Sequence, residues 1–303
     1  MAQGESSQKT EITGVDAYTP VEMEDRAEKT GIKKATMPII PSFLLAVIAG
    51  GAIGLGGMYF CIVLADSSLS FAVQRVLGGT VFALGLSLVL IGGAELFTGS
   101  TMNVMSMASG HVSVGQVLRN WVLVWCGNFI GAIGLVFLVF MSHHMEMNNG
   151  AVGAAVLKLA IGKITPDATT IFFKGILCNL MVCLAVWLAY AGRSVVDKIS
   201  AMILPIGLFV AAGFEHCVAN MYFLPLAWLL TATGHVPAGL DVSAITIPGI
   251  LHNLVFATLG NIVGGSVMVG GMYWLIYRRG MGGGRPMPTP AAAANERYRA
   301  ASR

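Results

Sequence analysis

The sequence contains few charged residues: only 11% of its 303 residues are Asp, Glu, Lys or Arg, whereas 55% are hydrophobic. A soluble domain has roughly 25% charged residues, so this composition excludes an ordinary soluble protein. The net charge of +3 comes without a basic stripe, which excludes a nucleic-acid-binding surface. The scarcity of charge therefore indicates a helical protein that crosses a lipid bilayer several times.

Metal-binding and redox motifs are also absent. Five cysteines lie inside apolar runs, and their spacing matches no zinc or redox pattern, so we expect buried apolar side chains. His143, His144 and Glu146 share one short loop, and such a set makes a weak metal site. The Asn-Pro-Ala pair of water and glycerol channels is missing as well. We predict no metal and no cofactor.

Both ends of the chain are polar. The first 38 residues carry many acidic side chains and lack an apolar core, so a cleaved signal peptide is not expected. We predict an N-terminal segment over residues 1–37, a membrane domain over 38–279 and a disordered tail over 280–303. The sequence leaves open whether the N-terminal segment forms a gating helix or is disordered.

Six apolar runs are each long enough to cross roughly 30 Å of hydrocarbon at about 1.5 Å per residue. They cover residues 39–64, 76–109, 120–141, 169–191, 199–230 and 247–277. The second and fifth runs are too long for one simple crossing. We therefore predict an all-α membrane protein with six transmembrane helices, the second and fifth of which are broken.

Six crossings place both termini on one side of the membrane, and the basic residues indicate which side. On the side of the termini lie Lys29, Lys33, Lys34, Arg119, Arg193, Lys198, Arg278 and Arg279; on the other side lie Arg75, Lys158 and Lys163. Basic residues concentrate in cytoplasmic loops. Both termini are thus predicted to be cytoplasmic.

Ionisable residues interrupt the two long runs. Glu95 lies in the first interruption, and Glu215 and His216 lie in the second. A charge inside the bilayer is unfavourable, so such residues usually face a solute pathway. Paired interruptions in two halves of a chain are typical of a transport site. The sequence therefore favours a channel or transporter.

The two halves of the sequence resemble each other. Gly-Ala-Glu at residues 93–95 recurs as Gly-Phe-Glu at 213–215, and the Gly-Asn-x-x-Gly pattern at 127–131 recurs at 260–264. The extra residues of the second half fit the loop around 234–241. With three spans in each half, the copies must enter the membrane from opposite sides. This arrangement predicts an inverted 3+3 repeat with the pathway near the membrane midplane.

The interrupted segments resemble those of the formate/nitrite transporter family, over roughly residues 38–279. The matching segments are Glu95-Leu96-Phe97-Thr98-Gly99, the stretch 179–187 (Asn-Leu-Met-Val-Cys-Leu-Ala-Val-Trp), and Gly213-Phe214-Glu215-His216 with Asn220. The middle stretch looks most like the formate-channel branch. The resemblance implies an aquaporin-like protomer with its own pore, assembled as a homopentamer in the bacterial inner membrane.

The resemblance places His216 at the centre of the pore. Histidine changes charge near neutral pH, so it either donates to and accepts from a carboxylic acid or attracts an anion as imidazolium. A buried histidine satisfied by its neighbours is the alternative. Thr98, in the pore loop with Leu96 and Phe97, is implied to offer its hydroxyl to His216 or to the anion; it could equally cap the following helix.

The remaining pore positions also depend on the resemblance. It places Phe82 and Phe209 at a constriction on one side of His216 and Leu86 on the other side, although an apolar stripe at this spacing is otherwise simply core. Lys163 is implied to attract anions at the outer mouth. Asn179 and Asn220 are expected to donate to an oxyanion. For Glu95 and Glu215 we prefer a structural role over substrate contact, because a carboxylate would repel an anion.

These observations predict a channel or transporter for formate and similar small monovalent anions, passive or proton-coupled, in contact with the lipid bilayer. Nitrite or hydrosulfide passage on the same scaffold is the alternative. An intramembrane enzyme that uses Glu215 and His216 as acid and base is a third possibility, but no nucleophile or ligand set accompanies that pair. We therefore do not expect an enzyme.

Overall fold

The computed structural model describes residues 16–280, and every regular element in that part of the chain is helical. The disordered tail predicted over 280–303 lies, from residue 281 onwards, outside the described residues, as do the first 15 residues of the predicted N-terminal segment. The prediction of an all-helical membrane protein is confirmed for the described part.

Eleven α-helices form the described fold. The first six are α1 (Pro20–Thr36), α2 (Ile39–Leu64), α3 (Phe71–Gly92), α4 (Phe97–Ser100), α5 (Val104–Ala108) and α6 (Val114–Met141). The other five are α7 (Ala151–Ile164), α8 (Ala168–Ala191), α9 (Val195–Ala211), α10 (Cys217–Ala232) and α11 (Ile247–Val263). π-Helical turns at Gly264–Gly271 and Trp274–Gly280 prolong α11.

Several helices are long and apolar enough to cross a membrane. Five qualify among the described residues: Ile39–Leu64, Phe71–Gly92, Val114–Met141, Ala168–Ala191 and Ile247–Arg279. The predicted fifth span divides into α9 and α10, of 17 and 16 residues. The predicted second span divides in the same way, because α3 ends at Gly92 and α4 and α5 follow after a short interval.

Polar residues at the helix ends explain where several helices begin. Thr19 and Glu22 form a capping box at the start of α1, with Pro20 as its first residue. Ser113 with Gln116, and Ser194 with Asp197, do the same for α6 and α9. A capping box satisfies amide groups that have no partner inside the helix. The ends of these helices are therefore encoded locally.

Glycines allow the long helices to pack closely. In the first half, α2 packs along α3 and α6; in the second half, α8 packs along α9 and α11; α3 and α9 join the two halves. A Cβ added at Gly131 of α6 would overlap the carbonyl group of Val47 in α2. A Cβ at Gly264 would similarly overlap the carbonyl group of Ile176 in α8. Small residues at such crossings are how membrane helices approach each other.

Helix α1 covers one end of the bundle, so the N-terminal segment is helical over residues 20–36. Met23 and Ala27 pack against a cluster that includes Met102 and Trp187. The face that carries them also buries two carboxylates. Glu28 lies 2.8 Å from His111 and 2.9 Å from Arg278, and Arg278 is 3.9 Å from Glu24. Apolar contacts and buried ion pairs together hold α1 in place.

We predict that Gly131→Ala destabilises the protein, because the added methyl group meets the backbone of Val47. Overpacking of this kind typically lowers the free energy of unfolding by about 1–3 kcal/mol. Gly134 lies on the same helix with no neighbour within 4 Å of its would-be Cβ, so Gly134→Ala is the matched control. Thermal unfolding in detergent measures both, and equal melting temperatures would contradict the close packing.

The contact of α1 with the bundle should weaken as pH rises. Burial raises the pKa of Glu24 from 4.5 to about 7, against the opposing effect of Arg278 and with Glu28 adding to the shift. An acid with a raised pKa binds more protons when folded, so it destabilises the docked helix progressively as pH increases from about 4.5 to about 7.

Hydrogen exchange of the α1 amides, corrected for the intrinsic effect of pH, measures this change. Glu24→Gln should reduce the pH dependence, whereas Asp25→Asn, at a carboxylate that pairs with Lys29 on the same helix, should leave it intact. Identical behaviour of the two variants would show that Glu24 is not responsible.

Candidate functional site

The two interruptions have the same backbone geometry. Each begins with a glycine in the left-handed region, Gly93 with φ 74° and Gly213 with φ 72°, which residues with a Cβ rarely adopt. The next amide, of Ala94 or Phe214, donates back to a carbonyl five residues earlier, at 2.9 Å and 3.0 Å respectively. Local sequence therefore ends both helices with the same turn.

Two asparagines hold the interrupted backbone. Asn128 accepts from the Phe97 amide at 2.9 Å and donates to the carbonyls of Ala46 and Glu95 at 2.7 Å and 2.9 Å. Asn261 makes the same bonds in the other half. It accepts from the Cys217 amide at 2.9 Å and donates to the carbonyls of Gly175 and Glu215, each at 2.8 Å. In each half, two of these bonds satisfy groups of the interrupted backbone in a region without water, and the third ties the asparagine to α2 or α8.

The two buried glutamates bind protein partners. Glu215 accepts from Lys163 at 3.2 Å, from Asn220 at 2.7 Å and from Asn253 at 3.1 Å. This arrangement satisfies its charge within the protein.

Glu95 in the other half is arranged in a similar way. Its carboxylate lies 3.4 Å from Lys34 of α1 and 3.5 Å from the hydroxyl of Ser100. Each interruption thus carries a carboxylate that is neutralised by a lysine.

His216 and Thr98 bring the two interruptions together. His216 Nε2 lies 3.1 Å from the Thr98 hydroxyl. His216 also caps α10, because its Nδ1 accepts from the Ala219 amide at 3.0 Å. A backbone amide only donates, so Nδ1 has no proton, and the neutral ring donates from Nε2 to the Thr98 oxygen. The Thr98 proton is then available to another acceptor.

The Thr98 carbonyl is held by a neighbour in its own segment and by two residues of α8 in the second half. Its carbonyl accepts from Asn179 at 3.2 Å, from the Thr101 hydroxyl at 2.6 Å and from the Cys183 thiol at 3.4 Å. Asn179 also donates to the Asn261 carbonyl at 2.6 Å. Asn179 therefore connects the first interruption to the asparagine that holds the second interruption.

Two cavities lie on either side of this contact. A cavity of about 460 Å³ is lined by Phe82, Phe209 and His216, together with the basic residues Arg75, Lys158, Lys163 and Lys174. The Phe82 and Phe209 rings are 5.7 Å apart, and Phe209 lies 5.7 Å from the His216 ring, centroid to centroid.

A second cavity, of about 360 Å³, opens on the side of α1. Leu86, Leu96 and Gly99 contribute to its lining, as do Glu95 and Lys34. His216 lines the first cavity, and Leu96 and Gly99, close to Thr98 in the sequence, line the second; Thr98 itself is buried between them. The Thr98–His216 hydrogen bond therefore connects the walls of the two cavities.

Some residues predicted from the sequence lie elsewhere. The Phe97 side chain is buried against Trp121, at 6.5 Å between ring centroids, and does not line either described cavity. The amide groups of Asn179 and Asn220 donate to protein acceptors, and their donation to an oxyanion stays a prediction. Lys163, expected as an attractor of anions, is paired with Glu215 and still lines the first cavity.

Sequence reasoning missed Lys34, Asn120 and Asn253. Asn253 donates to the Lys163 carbonyl at 2.8 Å, and Asn120 donates to the Lys34 carbonyl at 3.2 Å. The two asparagines are 133 residues apart, the same spacing as Asn128 and Asn261. The repeated spacing of 133 residues could have identified Asn120 and Asn253 from the sequence. Nothing in the polar N-terminal segment distinguishes Lys34 from the lysines beside it.

Comparison with known proteins identifies the family. The family model described as formate/nitrite transporter matches residues 21–275. The chain belongs to the formate/nitrite transporter family. The resemblance predicted from the interrupted segments is thus confirmed.

Relatives in the formate/nitrite transporter family cover most of the chain. The formate channel FocA of Escherichia coli (strain K12) is 38% identical over 275 residues, which are 87% of this chain and 96% of that protein. The nitrite transporter NirC of Salmonella typhimurium is 35% identical over 259 residues, which are 82% of this chain and 88% of that protein.

Two solved structures are similar in fold. A pentameric formate channel with formate bound matches with a TM-score of 0.74 and 38% identity, over 82% of this chain and 99% of that chain. An FNT family ion channel matches with a TM-score of 0.74 and 31% identity, over 84% and 98%. The helices described above are therefore arranged as in solved channels.

We predict that Asn128→Ala and Asn261→Ala destabilise the protein to a similar extent, because each removes three hydrogen bonds to buried backbone groups. Each orphaned group costs about 1–3 kcal/mol, so a large drop in thermal stability is expected for both. Asn149→Gly is the control, since this loop asparagine has a φ of 53° that glycine adopts freely. A stability near that of the unmodified protein would mean that the asparagines do not hold the interruptions.

Proposed function

We propose that the protein is a membrane channel for formate and similar small monovalent anions, including nitrite. The observation that carries this proposal is the Thr98–His216 hydrogen bond between two cavities that each contain basic side chains. The relatives named as formate channels and nitrite transporters support the class of substrate. They also favour transport over the acid–base enzyme considered above.

Basic residues of the first cavity attract the anion. The cavity next to His216 is lined by Arg75, Lys158, Lys163 and Lys174, and Glu215 is its one acidic lining residue. An excess of positive charge in a cleft raises the local concentration of anions. In the lining of the same cavity, the Phe82 and Phe209 rings offer no hydrogen bonds, so an anion that passes them must lose water. We infer that this pair forms one constriction and that Leu86 with Leu96 forms the other.

The Thr98 hydroxyl is the proposed hydrogen-bond donor to the anion. The neutral His216 ring donates to the Thr98 oxygen, which leaves the Thr98 proton free for a carboxylate or nitrite oxygen. A hydrogen bond to a charged acceptor contributes about 1.5–3 kcal/mol. Such a donor between the two constrictions replaces part of the hydration that the anion loses.

Proton coupling requires a change at His216. With Nδ1 held by the Ala219 amide and Nε2 protonated, the ring has no free site for another proton. An imidazolium forms only if the Ala219 hydrogen bond breaks. The described geometry therefore favours passage of an anion beside neutral His216, and coupled proton transfer is the alternative in which the start of α10 loosens.

The transmembrane topology is also part of the proposal. We infer six crossings, with α9 and α10 together forming the fifth, and an inverted 3+3 repeat. The matched bonds of Asn128 with Asn261 and of Asn120 with Asn253 support it, as does the matched packing of α2 and α8. Lys34 and Lys163 are then equivalent partners of Glu95 and Glu215.

We further propose a homopentamer in the inner membrane, with one pore in each protomer and both termini in the cytoplasm. The similar solved structure described as a pentameric formate channel supports the assembly. The basic residues on the side of α1 support the orientation.

Flux of labelled formate into proteoliposomes tests the substrate, with nitrite, hydrosulfide and chloride as competitors. Thr98→Val removes the hydroxyl at nearly constant volume, and we expect formate flux to fall roughly tenfold or more, since one charged hydrogen bond is lost. Thr98→Ser keeps the donor and should retain most of the flux. Equal flux in the two variants would show that the Thr98 hydroxyl plays no part in transport. Hydrosulfide flux without formate flux would show that hydrosulfide, and not formate, is the substrate.

The pH dependence of flux tests proton coupling. His216→Asn keeps a side chain that caps a helix but cannot titrate near neutral pH. If His216 takes up a proton during transport, this variant should lose the pH response that the unmodified protein has. For passage of the anion beside neutral His216, which the geometry favours, we expect the variant and the unmodified protein to have the same pH dependence of formate flux between about pH 5 and 8. An unchanged pH response in the folded variant would exclude protonation of His216.

A further inference from the structure

The cavity beneath α1 contains more positive charge than a monovalent anion needs. Its lining includes four basic residues, Arg26, Lys33, Lys34 and Lys198, and one carboxylate, that of Glu95. Lys34 lies 3.4 Å from Glu95 and neutralises it. Three basic side chains of the lining thus have no acidic counterpart within it.

Among the described residues of α1, no acidic side chain forms an ion pair with Arg26 or Lys33; Glu22, one turn before Arg26, acts on it only at longer range. Asp25 pairs with Lys29 at 2.6 Å, and Glu28 pairs with His111 and Arg278 away from the cavity. Across residues 16–280, no carboxylate lies within ion-pair distance of Arg26, Lys33 or Lys198.

Arg26 is held in position without an acidic partner. Its guanidinium lies 4.1 Å above the Tyr18 ring, a favourable cation–π contact. Its buried Nε has no hydrogen-bond partner among the described residues. Lys198 approaches the same cavity from the first turns of α9. Basic groups from two separate helices therefore converge on one space of about 360 Å³.

Such a cluster fits an anion with two or more charges. Charge-assisted hydrogen bonds from several basic groups favour a ligand whose oxygens carry multiple charges. The same ligand cannot continue past the apolar side chains of Leu86 and Leu96 in the cavity lining, because removing water from several charges is far more unfavourable than from one. A multivalent oxyanion would bind there and remain.

We propose that the cavity beneath α1 is a binding site for a small multivalent oxyanion, a di- or polyphosphate or a dicarboxylate, which blocks the pathway from that side. Arg26, Lys33 and Lys198 bind the extra charges. The blocking effect rests on the proposed anion channel, whereas the binding site does not.

Calorimetry on the full chain in detergent tests binding, with pyrophosphate as the probe at constant ionic strength and without divalent cations. We expect saturable binding, weakened roughly tenfold by Arg26→Gln and by Lys198→Gln, since each removes one charged contact. Lys29→Gln removes a lysine of α1 that lies outside the cavity lining. This variant should bind pyrophosphate with the affinity of the unmodified protein. No saturable binding, or equal weakening by all three variants, would overturn the site.

Formate flux in proteoliposomes, with pyrophosphate on both faces, tests the block. We expect pyrophosphate to reduce formate flux in the unmodified protein and in Lys29→Gln, and to have a much weaker effect in Lys198→Gln. Binding without any reduction of flux would overturn the block. Pyrophosphate binding in a protein that conducts no formate would overturn the proposed function and leave the site standing.

Discussion

The structure depends on satisfying the backbone groups that two interruptions release inside an apolar bundle. An unpaired amide or carbonyl there has no water to bind, so each interruption needs a fixed partner of its own. Asn128 and Asn261 provide it, because one side-chain amide both accepts and donates. Once the backbone is held in this way, Thr98 and His216 can face each other, and the long helices can pack around them.

The buried carboxylates of the bundle also have fixed partners. Glu95 and Glu215 are each paired with a lysine, so the interior contains carboxylates without presenting free negative charge to a permeating anion. The lysines come from different places: Lys163 from α7 inside the bundle and Lys34 from α1 at its end. The two mouths are thus chemically alike and structurally different.

The sequence predicts the residues whose chemistry is out of place in an apolar run. Glu95, Glu215, His216 and Thr98 stand out for that reason, and the glycines at 93 and 213 mark where the helices end. The direction of Phe97 was not predictable, because it depends on how α4 packs against Trp121.

Lys34 was missed for a related reason. It lies in a polar segment where lysines are ordinary, and its contact with Glu95 exists only once α1 docks on the bundle. Asn179 illustrates the same limit. The sequence marks it as a polar residue in an apolar run, but its hydrogen-bond partners depend on three-dimensional packing. Local sequence thus identifies polar groups, and tertiary structure decides which of them meet.

The position of Lys34 has a consequence for the direction of flow. Lys34 belongs to α1, a separate helix that docks on the bundle and is joined to α2 by only two residues, Met37 and Pro38. Lys163 belongs to α7, within the bundle. Displacement of α1 would remove positive charge from one mouth and leave the other unchanged. The electrostatic profile along the pathway would then become asymmetric, and an anion would meet different barriers from the two sides. Such a protein would behave as a rectifier.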